Sequence, residues 1–133
     1  MLKRLANLLR RRRILSVEDL RDFLAIEAVF LSQKSTIDYC RARAGLGWQR
    51  LVSEPAFLAA LEACRWQAMA AVLADMILVT ESFLRPQVGD DRQRLAAGLG
   101  AAFGLILERS PAPASERAAW AALAADVDAR LGR

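Results

Sequence analysis

Five carboxylates, Glu27, Asp38, Glu62, Asp75 and Glu81, lie in helix-forming sequence, and carboxylates can carry acid–base or metal chemistry without help from other residue types. The chain has no histidine. That removes Ser-His-Asp and Cys-His nucleophile activation, imidazole metal ligation and the imidazole pH switch together. Carboxylate-bridged metal bundles complete their sites with Glu-x-x-His pairs, so no metal site is expected from these acids. Asp75 stands out because it interrupts the apolar run from Ala71 to Val79, where an unpaired carboxylate would be costly to bury. In an antiparallel hairpin pivoting near residues 48 and 49, facing residue numbers sum to about 97, which sets Asp75 beside Arg21 and Glu62 near Lys34. A structural ion pair between Asp75 and Arg21 is therefore the expectation, with no catalytic residue and no cofactor.

Two short motifs resemble phosphate-binding signatures and lack their context. Lys34-Ser35-Thr36 has no glycine-rich strand-to-helix turn before it, and Gly98-Leu99-Gly100 with Gly104 has no strand leading into it. The small residues Ala97, Gly100, Ala101 and Gly104 instead permit close helix approach. The approaching helix is either within the bundle or, through Gly100 and Gly104, in a second copy of the chain.

Charge is distributed unevenly. Residues 1–13 carry six basic residues and no acid, whereas the rest holds 13 basic against 15 acidic residues, so the net +4 comes from a basic N-terminus on a slightly acidic body. Leu2, Leu5, Leu8 and Leu9 fall on one side of a helix over this segment, and Lys3, Arg4, Arg10, Arg11, Arg12 and Arg13 surround the remainder. Such a pattern suits an anionic membrane surface or an acidic protein partner, each basic residue adding about 1 kcal/mol near anionic lipid. Nucleic acid is the alternative partner, weakened by the absence of a stacking aromatic in the segment. A second candidate contact is the hairpin corner, where Tyr39, Arg41, Arg43, Trp48 and Arg50 gather around Gly45-Leu46-Gly47. Arginines and aromatics dominate interface hot spots, but Trp48 can equally close the end of the hairpin.

The elements that must position these residues are helical. Alanine and leucine make up about a third of the 133 residues, and no stretch alternates as a strand would. Ser16, with Asp19 three residues on, opens a helix that runs to Gly45; Ser53 and Pro55 open the next, expected to stop at Pro86. Asp90 or Asp91 opens a third, and Ser115 a fourth after the turn containing Pro111 and Pro113. The expected fold is thus an all-α bundle on a long antiparallel hairpin, residues 16–44 and 53–85, closed by shorter helices over 90–109 and 115–131. Residues 1–15 form a basic amphipathic segment and 16–133 a single bundle domain.

Cys40 and Cys64 without a secretion signal point to free thiols and the cytoplasm. The uncharged run Leu95 to Leu107 is too short to span a bilayer, and Trp66 to Leu84 contains Asp75 and Glu81, so neither is expected to cross one. The composite reading is a non-enzymatic interaction protein, peripheral at the inner face of the membrane through its N-terminus. Its alternatives are a nucleic-acid accessory protein and a carrier of lipid or small molecules in the bundle interior.

Overall fold

The computed structural model describes residues 13–133, and among them every regular element is helical. Helix α1 spans residues 17–44, with α-helical turns over Val17–Phe23 and Val29–Ala44 separated by a π-turn at Leu24–Ala28. Its start is capped as the sequence indicates. Ser16 Oγ accepts from the Asp19 N–H at 3.0 Å, and Asp19 Oδ2 accepts from the Leu15 N–H at 3.1 Å, so two otherwise orphaned donors are satisfied. A tight turn at Gly45–Gly47 and the short α2 (Trp48–Leu51) lead to α3 (Pro55–Val88), α4 (Arg92–Arg109) and α5 (Ala114–Leu131).

Three helix boundaries differ from the sequence expectation. Ser53 Oγ donates back to the Arg50 carbonyl at 2.6 Å, which leaves Glu54 as the N-cap of α3 and Pro55 in its first turn. Pro86 does not stop α3. A proline removes one intrahelical donor but its φ is compatible with helix, and the chain leaves α3 only at Gly89, whose φ of +54° is left-handed. Finally, α5 starts at Ala114, because the Pro113 carbonyl accepts from the N–H groups of Glu116 and Arg117 at 3.1 and 3.2 Å. Arg117 then reaches back to the carbonyls of Ala112 and Ser110 and locks the turn between α4 and α5.

Helix α3 is the centre of the bundle, packing against α1, α4 and α5, while the start of α1 also meets α4. Its inward positions Trp66, Met69, Ala70, Leu73, Ala74 and Ile77 recur at helical spacing and join Leu24, Leu99, Phe103, Ile106, Trp120 and Val127 in one core. The register is close to that deduced from the sequence. Arg65 donates to Gln33 across the hairpin at 2.8 Å, so facing numbers sum to 98.

The helices differ in length, and this shapes the molecule. At 1.5 Å per residue α1 is about 42 Å long and α3 about 51 Å, against about 27 Å for α4 and α5. The shorter pair covers only one end of the hairpin. No residue from 33 to 65 is buried, so this part stands as a two-helix arm beyond the core. The helical stretch Pro55–Arg109 also contains an 18-residue window with mean hydropathy 1.5, long and apolar enough by length and composition to cross a bilayer, of which 33% is buried. In the fold it is the core helix on one face and apolar surface on another.

The glycines of α4 have separate environments. A methyl group at Gly100 would meet the carboxylate of the exposed Asp128 on α5, so α5 approaches α4 closely at this position. Gly104 faces open space. Gly104→Ala should therefore stabilise the fold by about 0.5–1 kcal/mol through helix propensity alone, read as a raised urea midpoint with an unchanged m-value.

Candidate functional site

Of the N-terminal basic segment, Leu2, Lys3, Arg4, Leu5, Leu9, Arg10, Arg11 and Arg12 lie outside the described residues, and Arg13 is exposed. The surface around the first described residues is apolar. Leu15 is 81% exposed, and Ile14 and Val17 are exposed with it. Ile14, Leu15 and Val17 share a groove with Leu20, Leu84, Leu95 and Leu99, with Arg94 at its edge. Leu84 lies in this groove, so both strands of the hairpin contribute to it, whereas Val79 and Phe83 recur four and eight residues after Asp75 on the outward face of α3. Ile14 and Leu15 lie ahead of α1, which begins at Val17.

The corner sits at the opposite end of α1. Trp48 is half-buried, edge-on to Phe57 with ring centroids 5.9 Å apart, and the Arg41 guanidinium lies 5.7 Å from the Trp48 ring centre. Trp48 thus closes the tip, with Arg41 covering its face as a cation–π partner. Tyr39 and Arg43 are exposed, and Arg50 approaches Glu54 at 4.0 Å with most of its side chain in water. Leu46, between the two glycines, is fully exposed. The structure brings Arg41 and Trp48 together and leaves Tyr39, Arg43 and Arg50 as separate surface residues.

The expected ion pairs are not those the fold makes. Asp75 is exposed and has no ion pair among the described residues, while Arg21 lies 3.9 Å from its neighbour Asp22. The level along the hairpin is right and the face is wrong: Asp75 stands two residues, about 200°, beyond the buried Leu73. Glu62 pairs with Arg65 at 2.9 Å and accepts from Trp66 Nε1 at 2.9 Å, and Lys34 pairs with Asp38 instead.

The buried acid is Glu81. It is 2% exposed, four residues after Ile77 on the core face, and Arg85 one turn later holds it with two bonds, Nε to Oε1 at 2.9 Å and Nη2 to Oε2 at 2.6 Å. The Arg85 hydrogen bonds hold the Glu81 carboxyl below its ordinary range, against the opposing effect of burial, with more distant help from Arg92. The four-residue steps from Leu73 to Ile77, Glu81 and Arg85 carry this pair in the sequence.

Cys40 and Cys64 are free thiols that line one groove between α1 and α3 with Leu31, Tyr39 and Val72. Among the described residues no three acidic or thiol side chains converge as metal ligands would. Inside the bundle, Phe103, Leu24, Met69, Leu73 and Ile77 occupy the central positions of the core. No protein-family model, no curated protein and no solved structure matches the chain.

Proposed function

We propose that the protein works by association, docking peripherally on an anionic membrane surface at the cytoplasmic face through its basic N-terminus and the apolar base of the hairpin. The observation that carries this reading is the exposure of Ile14, Leu15 and Val17 directly after the arginine run Arg10 to Arg13. Apolar side chains that enter the acyl boundary and basic residues that remain at the headgroups are the two components of interfacial binding, and neither alone anchors strongly. The protein is non-enzymatic in this reading, and its ligand is a surface rather than a small molecule.

Co-sedimentation with vesicles tests it. The whole chain should bind vesicles containing phosphatidylserine and leave neutral phosphatidylcholine vesicles in the supernatant. Removing residues 1–13 takes away six basic residues, and at about 1 kcal/mol each the affinity should fall by a factor on the order of 10,000. Leu15→Glu combined with Ile14→Glu should weaken binding through the apolar component while leaving the basic segment intact. Equal binding to neutral vesicles, undiminished binding by both variants, or a preference for single-stranded RNA over anionic vesicles would overturn the reading.

A further inference from the structure

Away from the basal surface, the first turns of α1 and the end of α4 enclose a cleft of about 250 Å³ lined by Arg21 and Arg109. We infer that this cleft binds a small carboxylate bearing a short aliphatic chain. Arg21 is the main reason. Its Nε is buried and has no hydrogen-bond partner, and its side chain is only 27% exposed. Asp22 does not supply the missing acceptor, because its nearest oxygen is 3.9 Å away and its side chain is 64% exposed. A buried guanidinium N–H without an acceptor is costly, and since Nε itself has no open surface, an incoming oxyanion relieves that cost by drawing the guanidinium round toward the cleft.

Arg109 adds a second guanidinium, without an ion pair among the described residues. The end of α4 would ordinarily present carbonyl oxygens that repel an anion. Here two of those carbonyls are already engaged, Ile106 accepting from Ser110 Oγ and Leu107 from the Ser110 N–H, and Arg117 covers the Ser110 carbonyl that follows. Two arginines against one solvated aspartate therefore set the sign of the cleft. A planar carboxylate matches the guanidinium fork. The remaining wall is aliphatic, with Ala25, Val29, Leu105 and Pro111, and Ala25 lies in the π-turn of α1. The volume lies below the usual range for drug-sized ligands, which limits the occupant to a few carbons beyond its carboxylate.

The inference is independent of the membrane reading, and calorimetry with sodium hexanoate tests it on the whole chain. Hexanoate should bind saturably and shift the Arg21 Nε–H resonance, whereas hexanol, which has the chain without the charge, should bind at least tenfold more weakly, as should inorganic phosphate. Arg109→Gln, at an exposed position, should weaken hexanoate at least tenfold with the fold intact. Ala25→Leu should do the same by filling the wall while both arginines remain. Absence of saturable hexanoate binding, or affinity unchanged in both variants, would overturn the assignment. Hexanol or phosphate binding as well as hexanoate would overturn it too.

Discussion

Trp120→Ala should unfold the protein roughly 10–20 °C earlier in a thermal scan, whereas Trp120→Phe should leave the midpoint nearly where it was. Trp120 is 5% exposed and packs edge-on against Trp66 with centroids 6.1 Å apart, so truncation opens a large void where α3, α4 and α5 meet. Removing a buried tryptophan costs about 3–5 kcal/mol, and each kcal/mol corresponds to about 4 °C in a domain of this size. Phenylalanine keeps most of the packing and removes a polar group that has no partner. The Trp120 Nε1–H is buried without an acceptor, so its loss offsets much of the lost volume. Trp66 provides the internal contrast, since its Nε1 donates to Glu62 and the same change to phenylalanine there breaks a bond. Equal costs for Trp120→Phe and Trp66→Phe, measured by urea titration, would contradict this account.

The Glu81–Arg85 pair governs acid stability, and its sign can be reversed. In the native chain the Glu81 carboxyl titrates below its unfolded value because Arg85 donates to it. Its contribution is therefore present above the ordinary carboxylate range near pH 4.3 and is lost as pH falls through the depressed folded value. Native stability should rise between pH 3 and 5. Arg85→Leu leaves a carboxyl that is 2% exposed without its donor, and burial then favours the neutral acid. The folded value moves above the unfolded one, so stability should instead fall as pH rises from 4 toward neutrality. Glu81→Gln should remove this titration altogether. Urea midpoints at four or five pH values distinguish the three slopes.

The contrast between Asp75 and Glu81 shows how far the sequence could be read. Both acids interrupt the same apolar stretch, and composition singles out Asp75 because its immediate neighbours are the more uniformly apolar. Helical phase decides otherwise. Stepping by four from Leu73 reaches Ile77 and Glu81, while Asp75 falls on the opposite face. The all-α class, the Ser16 cap, the turn at Gly45 and the hairpin register were legible because local capping chemistry and turn residues specify them. The run of α3 through Pro86 was not, since a proline near a helix end costs too little to stop a helix that packing holds together. The cleft containing Arg21 and Arg109 was hidden for a different reason. Its two arginines are 88 residues apart, and only the packing of α1 on α4 brings them to one space.

The uneven lengths of the helices have a consequence for reach. Because no residue from 33 to 65 is buried, the distance from the core to Leu46 is set by the number of turns in the arm rather than by the packing below it. Inserting one heptad in each strand would carry the tip about 10 Å farther out and preserve the phase of both helices. Phe103, Trp120 and the Glu81–Arg85 pair lie outside that segment and would keep their neighbours. Spacing between the two ends of the molecule is thus a free dimension of this architecture, adjustable without renegotiating the core.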